Sequence, residues 1–132
     1  MSERKSIPVK DVMTSHFQLV DGLITVYQAI CVMKEHDLRL LIVDKRHDND
    51  EYGIVLLSDI ARDVLSTNRS PERVNVYEVM SKPAVGVHPG MDIRNCARLF
   101  YRLGFHYAPV IEHDKVLGIV GYTDLVLEGL CK

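Results

Sequence analysis

The sequence contains one apolar, glycine-punctuated segment twice, and this duplication limits the folds that the chain can adopt. The segment Tyr52-Gly-Ile-Val-Leu-Leu-Ser-Asp-Ile60 returns 65 positions later, so that Gly53 aligns with Gly118 and Asp59 with Asp124. β-Branched apolar residues favour a strand, and Ser or Thr followed by Asp before a helical pattern is a helix N-cap signal. Each copy therefore predicts a buried strand that turns directly into a helix.

The duplication extends well beyond this segment. Lys10-Asp-Val-Met-Thr14 matches Tyr77-Glu-Val-Met-Ser81, 67 positions later. Helical i, i+3, i+4, i+7 spacing recurs at the same offset, which predicts one buried helix face in each half. The two faces are Val26, Ala29, Ile30 and Met33, and Ile93, Cys96, Ala97 and Phe100. Thr25 and Asp92 directly precede these faces, where capping residues are expected.

Each half thus reads strand, helix, strand, strand, helix, after a short helical entry around Val12 or Val79. The apolar segments 40–43 and 107–111 supply the middle strands, and the polar, proline-containing stretch after residue 66 indicates a linker. We predict an α/β (α+β) fold with repeats at 8–66 and 77–131 and a linker at 67–76. A half of about sixty residues is marginal alone, so two pseudo-symmetric βαββα repeats are expected to pack sheet to sheet as one module.

Composition narrows the possible partners. The chain has 132 residues, 47% of them hydrophobic, and a net charge of −2. That balance provides no broad positive field, so neither nucleic acid nor a membrane surface is an expected partner. The polar start at residues 1–5 lacks the apolar segment of a signal peptide, which predicts a cytoplasmic location. The three cysteines are an odd number without CxxC spacing, so no disulfide framework and no metal site is indicated.

These motifs, in this order and spacing, resemble the cystathionine β-synthase (CBS) domain, present as a tandem pair or Bateman module. The resemblance rests on Asp11-Val-Met-Thr14, the strand with Ala108-Pro-Val-Ile111, and the duplicated Gly-Ile-Val segment ending in Ser-Asp or Thr-Asp. It covers about residues 8–130. It implies a regulatory module, often a homodimer, that binds an adenosine-containing ligand between its repeats: AMP, ADP, ATP, S-adenosylmethionine or NAD. A separate, unidentified protein would be the regulated partner, and no cofactor is required.

The resemblance also implies roles for individual residues. Asp59 and Asp124 resemble the aspartates that bind both ribose hydroxyls, and a fixed carboxylate suits a vicinal diol because it offers two acceptor oxygens. Four residues resemble phosphate contacts: Ser58, Thr123, Arg39 and His106. Phe17 and Ala84 match the positions that line the adenine slot.

Other interpretations of the same residues stay open. Ser-Asp or Thr-Asp at a helix start also serves as a simple cap, Arg39 can extend into solvent, and His106 can be an ordinary hydrogen-bonded histidine. The hydroxyl that the family commonly carries two positions before the Ser/Thr-Asp pair is replaced by Leu56 and Gly121. Leu56 adds bulk, so the second site is the firmer prediction. The alternative function is a structural dimerisation or adaptor module without nucleotide. No catalytic motif is present, so an enzyme is not predicted.

Overall fold

A computed structural model of the protein describes residues 5–131, and these form two compact units. The first unit is Phe17–Ala84, and the second unit joins residues 5–16 to residues 85–131. The expectation about a signal peptide rests on residues 1–5, and residues 1–4 of that segment lie outside the described residues. Each unit combines the main part of one repeat with the entry segment of the other repeat.

The first unit contains a three-stranded sheet and two principal helices. Its strands are β1 (Leu19–Val20), β2 (Leu40–Val43) and β3 (Gly53–Leu56). Strand β1 runs parallel to β2, and β2 runs antiparallel to β3. Its helices are α1 (Val26–His36) and α2 (Leu57–Ile60), which continues as a π-helix over Ala61–Leu65, with 3₁₀ turns at Pro71–Arg73 and Val76–Glu78.

The second unit repeats this order with a reduced first strand. Its elements are a 3₁₀ turn (Val9–Asp11), α3 (Ile93–Leu103), β4 (Tyr107–Glu112), β5 (Lys115–Gly121) and a π-helix (Asp124–Glu128). Strands β4 and β5 pair antiparallel, and Val87 alone forms a parallel bridge to Val110 where the first unit has β1. The mixed α/β architecture, the two middle strands and the short helical entries predicted from the sequence are confirmed.

The two long helices bury the predicted faces. At matching positions the buried side chains are Val26, Ala29 and Met33 in α1, and Ile93, Cys96 and Phe100 in α3. Thr25 caps α1 by accepting a hydrogen bond from the Gln28 backbone N–H at 3.1 Å, and Asp92 caps α3 by accepting one from Arg94 N–H at 2.8 Å. Each unit therefore has its own apolar core, built around one helix face and the neighbouring strands.

The entry segments extend the sheets of the units to which they belong. In the second unit, Thr14 exchanges two backbone hydrogen bonds with Ile119, at 2.8 and 2.9 Å. In the first unit, Ser81 exchanges the equivalent pair with Ile54, also at 2.8 and 2.9 Å. Val76, at the end of the stretch interpreted as a linker, is fully buried in the core of the first unit. Main-chain pairing thus ties each repeat's entry to the sheet of the other repeat.

This pairing makes Gly118 sensitive to substitution. A Cβ at Gly118 would lie 2.6 Å from the Thr14 carbonyl oxygen, whereas one at Gly53 would meet the flexible Met80 Sδ at 2.8 Å and Ser81 O only at 3.4 Å. We expect Gly118→Ala to lower the free energy of unfolding by about 1–3 kcal/mol, because backbone must move. Urea denaturation measures this, with Gly53→Ala as the milder control. Equal losses in the two variants would contradict the explanation.

Candidate functional site

The two aspartates predicted to bind ribose occupy the same place in their units. The Asp59 Oδ2 atom accepts a hydrogen bond from Leu56 N–H at 2.8 Å, and the Asp124 Oδ2 atom accepts one from Gly121 N–H at 2.8 Å. In each case the donor is the last residue of a strand, and the acceptor lies three residues later in the first helical turn. This bond fixes one carboxylate oxygen, Oδ2. The other oxygen, Oδ1, remains as the acceptor for another side chain or a ligand.

The hydroxyl residues are not the helix caps that the sequence predicted. Leu56 has extended backbone angles and occupies the N-cap position of α2, so Ser58 already lies inside the helix. Thr123 is likewise helical, with φ −56° and ψ −46°. The aspartate caps the backbone instead, because it sits three residues after the strand end and can reach back to it. Ser58 and Thr123 are both exposed.

In the first unit, the second oxygen of Asp59 is occupied. Asp59 is only 6% exposed, and its Oδ1 atom accepts a hydrogen bond from Arg62 Nη2 at 3.2 Å. Asp63 holds the same guanidinium through Nε at 2.9 Å and Nη2 at 3.0 Å. These contacts, led by the hydrogen bond to Asp63, raise the pKa of Arg62. Arg62 is therefore a bridge between two carboxylates.

In the second unit, the bridge is missing. Leu127 stands at the position equivalent to Arg62, and Glu128 at the position equivalent to Asp63. Within residues 5–131, no hydrogen bond to the Asp124 Oδ1 atom is observed. Burial raises the pKa of Asp124, and repulsion from Glu128 adds to the effect, while the Gly121 N–H acts in the opposite direction. Asp124 is thus a half-buried carboxylate with a free acceptor oxygen.

A stability measurement can detect this uncompensated charge. Because the raised pKa means that the folded state holds the proton more tightly than the unfolded chain, stability falls as pH rises from about 4 through the folded pKa, and stays lower at neutral pH. Asp124→Asn removes the charge and keeps an oxygen for Gly121 N–H. We expect this variant to melt at a higher temperature than the wild type at pH 7, with no difference at pH 3.

The matched control for that experiment is Asp59→Asn, which weakens the contact with Arg62 and is expected to lower the melting temperature at pH 7. Differential scanning calorimetry of both variants at the two pH values makes the comparison. A lower melting temperature for Asp124→Asn at pH 7 would show that the charge of Asp124 stabilises the unligated fold, which would contradict the expected cost of burying it.

The predicted basic residues lie beside these helix starts. The Arg39 carbonyl accepts a hydrogen bond from Leu57 N–H at 3.1 Å, which places Arg39 next to Ser58; its exposed guanidinium pairs with Asp37 at 3.2 Å. His106 is exposed and packs edge to face against Tyr122, with ring centroids 5.7 Å apart. Each unit therefore brings a hydroxyl, an aspartate and a basic side chain to one end of its sheet.

The two predicted adenine contacts differ in position. Phe17 is half-buried and precedes Gln18, whose carbonyl accepts from Ile42 N–H at 3.1 Å, so Phe17 lies at the same end of the sheet as Arg39. Ala84 is half-buried and donates to the Tyr52 carbonyl at 2.7 Å, at the opposite end of β3. Ala84 directly precedes the part of the second unit that carries His106 and Asp124.

The structure also contains features that the sequence analysis missed. Continuing the 65-residue offset three positions past Asp59 would have paired Arg62 with Leu127 and revealed the difference between the two aspartates. A cavity of about 490 Å³ lies at the far end of the first unit's sheet, and none of the predicted site residues is part of its lining. Its lining is Asp21, Gly22, Leu23, Val43, Asp44, Arg46, Tyr77, Met80 and Lys82.

The described part of the chain contains neither a metal-binding cluster nor a membrane-spanning helix. Residues 5–131 hold no group of three or more His, Cys, Asp or Glu side chains arranged to bind a metal ion. Across the same residues, no helix combines the length and the apolar character needed to cross a membrane.

Comparison with known proteins identifies the family. The model of the CBS domain matches residues 9–66 and 76–129, and the chain belongs to the CBS domain family. The tandem pair indicated by the sequence is confirmed, and such pairs are generally regulatory rather than catalytic.

Several known proteins are similar to this chain in sequence or in structure. The hexameric CBS-CP12 protein of bloom-forming cyanobacteria is 37% identical, with a TM-score of 0.92 over 95% of this chain and 69% of that chain. The CBS domain-containing protein YhcV of Bacillus subtilis is 27% identical over 90% of this chain and 83% of its own length. A Methanopyrus kandleri protein, MK0525, is 25% identical, and the match spans 48% of its length.

Proposed function

We propose that this CBS pair is a regulatory module that senses an adenosine-containing ligand through the Thr123 and Asp124 corner of the second unit. The observation that carries the proposal is the free Oδ1 atom of Asp124, on a carboxylate whose other oxygen is fixed by Gly121 N–H. A carboxylate held in this way presents an acceptor in a set direction. The ribose hydroxyls are neighbouring hydrogen-bond donors that this carboxylate can accept, because each of its oxygens has two lone-pair sites.

The residues around Asp124 suit the rest of such a ligand. Thr123 offers an exposed hydroxyl one residue before Asp124, and His106 lies near Tyr122, one residue earlier still. We propose that Thr123 and His106 contact the group attached to the ribose 5′ position, which is phosphate in AMP. Phe17 and Ala84 are proposed as contacts of the adenine ring, and Ser58, Asp59 and Arg39 as the corresponding site of the first unit.

A relative supports the chemical class of the ligand. The CBS domain pair of protein MJ0100 was solved in complex with methylthioadenosine and S-adenosyl-L-methionine; its TM-score is 0.81 at 22% identity, over 95% of this chain and 98% of that one. At this identity the likeness concerns the fold. The two ligands nevertheless share the adenosine unit that Asp124 would bind, which is why we extend the class to this chain.

The proposed response is a change in association. We propose that the chain forms a homo-oligomer, as the hexameric CBS-CP12 relative does, and acts on a separate protein rather than as an enzyme. A ligand can drive such a response only through a difference in its affinity for two states of the assembly. The size of the regulatory effect would therefore equal that difference in binding free energy.

Isothermal titration calorimetry with AMP, ADP, ATP, S-adenosylmethionine and NAD tests the proposal. We expect saturable binding of at least one of the five at sub-millimolar concentration. Sedimentation velocity with and without that ligand then tests the change in association. Absence of heat with all five ligands at millimolar concentration would contradict the proposed function.

An adaptor without a ligand is the second candidate, and two observations in the first unit favour it. Leu56 is bulky where the family commonly has a hydroxyl, and Arg62 already donates a hydrogen bond to the Oδ1 atom of Asp59. An adaptor would form the same oligomer in sedimentation experiments with or without any of the five nucleotides. The titration panel therefore separates the two candidates.

A further inference from the structure

The equivalent aspartates of the two units differ in the hydrogen-bond partners of their carboxylate oxygens. This difference affects how many ligands one chain can bind. Both carboxylates accept a 2.8 Å hydrogen bond from the last strand residue through Oδ2. Only Asp59 has a partner on Oδ1, the Nη2 atom of Arg62 at 3.2 Å. The backbone geometry is thus duplicated, whereas the side chain that meets the second oxygen is not.

Arg62 is well held in this position. Its Nε and Nη2 atoms bind both oxygens of Asp63, at 2.9 and 3.0 Å, while Nη2 also reaches Asp59. A planar guanidinium that is already held by both oxygens of Asp63 loses little further freedom when the contact with Asp59 forms. The Asp59 side chain is 8% exposed and that of Arg62 is 66% exposed, so the guanidinium lies on the solvent side of the buried carboxylate.

A sugar that approached Asp59 would have to displace this guanidinium. Hydrogen bonds to a carboxylate are strongest when the donor is also charged, and a hydroxyl group is neutral. Displacement would also leave a buried carboxylate without its neutralising cation, which is costly. The exchange is therefore unfavourable for a neutral diol, although the carboxylate itself is correctly placed.

The second unit offers no such competitor. Leu127 stands in place of Arg62 and has no hydrogen-bond donor. Glu128 stands in place of Asp63, so the carboxylate neighbour is kept but the arginine between the two carboxylates is not. Among residues 5–131, Asp59 Oδ1 therefore has a hydrogen-bond donor, Arg62, that Asp124 Oδ1 lacks.

We propose that Arg62 is a built-in competitor that closes the first site to ribose, so that each chain binds one adenosine unit, at Asp124. This inference rests on the proposed function, and it makes the residue three positions after the aspartate the determinant of occupancy. Arg62 is a specificity residue, since it acts through Asp59 and touches no ligand. Exchanging the residues at 62 and 127 should therefore open the first site to ribose and close the second.

Isothermal titration with adenosine tests the proposal, because adenosine lacks the phosphate that any arginine would attract. We expect one adenosine per chain for the wild type and two per chain for Arg62→Leu. Leu127→Arg is expected to weaken adenosine binding at least 10-fold, and the double exchange to restore one site per chain. Arg69→Leu is the control, because Arg69 is an exposed arginine of the same unit that pairs with Glu78 at 3.3 Å.

A measurement without ligand tests the contact between Arg62 and Asp59 even if Arg62→Leu perturbs folding. The melting temperature should fall in Arg62→Leu, and this fall should shrink by at least half when Asp59 is also changed to Asn, because no buried charge then remains to be neutralised. Two equivalent sites in the wild type, one site in a folded Arg62→Leu variant, or unchanged affinity in Leu127→Arg would overturn the proposal. If no adenosine binds to any variant but another nucleotide of the panel binds with one site per chain in both the wild type and Arg62→Leu, the competitor is refuted and the proposed function stands. If nothing binds at all, both are refuted.

Discussion

Asp124→Ala is expected to weaken binding of the adenosine-containing ligand by roughly 30- to 140-fold. A hydrogen bond to a charged group contributes about 1.5–3 kcal/mol, and two hydroxyls on one carboxylate share their effect, so a total of about 2–3 kcal/mol is expected. Asp124→Ala removes the acceptor for Gly121 N–H at 2.8 Å, but it also removes a charge whose burial costs stability. The two effects on stability oppose each other, so we expect the variant to stay folded and its loss of affinity to be measurable. Isothermal titration of the wild type and the variant with the same ligand measures the ratio.

The matched control is Asp59→Ala in the first unit. Asp59 accepts the same backbone hydrogen bond as Asp124, but its second oxygen is bound by Arg62. Asp59→Ala should therefore change ligand affinity by less than about threefold. It should also cost more stability than Asp124→Ala, because Arg62 loses one of its two carboxylates. If Asp59→Ala weakened binding as much as Asp124→Ala, the assignment of the ribose to the second unit would be wrong.

Phe100→Ala is expected to produce the largest loss of stability. Phe100 is fully buried in the core of the second unit and is the largest of its fully buried side chains. Phenylalanine-to-alanine changes in a core typically cost about 3–5 kcal/mol, a large part of the 5–15 kcal/mol that stabilises a domain. Phe100 also packs edge to face on Tyr122, with centroids 5.4 Å apart. The variant should therefore loosen the segment that precedes Thr123 and Asp124.

Urea denaturation followed by far-ultraviolet circular dichroism measures this loss, with Tyr101→Ala as the control. Tyr101 neighbours Phe100 on α3 but is 87% exposed, so its replacement should change the free energy of unfolding by less than about 0.5 kcal/mol. Equal effects of the two substitutions would contradict an orientation of α3 that buries Phe100 and exposes Tyr101.

The elements of each half could be predicted because their determinants are local. The faces containing Met33 and Phe100 follow helical spacing, and both capping residues directly precede them, so neither depends on the rest of the fold. The exchange of entry segments could not be predicted, because the apolar residues around Val12 and Val79 carry no local pattern that assigns them to one core or the other. Pairing of Thr14 with Ile119 is decided by main-chain hydrogen bonds between distant parts of the chain, which leave no local pattern.

The candidate site was predicted in outline only. The family resemblance supplied Asp59 and Asp124 as a pair, and their backbone geometry is indeed the same. The cap was wrongly assigned to the hydroxyl residues, since Ser58 and Thr123 lie within the first helical turn and the aspartates reach back to the strand end. The role of Arg62 depends on a side-chain contact across one helical turn, and a motif that stops at the aspartate cannot include it.

Binding of the ribose by the Oδ1 atom of Asp124 can be tested by comparing AMP with 2′-deoxy-AMP, which lacks one of the two ribose hydroxyls. Both titrations are carried out on the wild type and on Asp124→Ala. Loss of the 2′-hydroxyl is predicted to weaken binding at least 5-fold in the wild type and less than twofold in Asp124→Ala, because the carboxylate and the hydroxyl act as one contact. Equal affinity of the wild type for the two nucleotides would contradict binding of the ribose by Asp124.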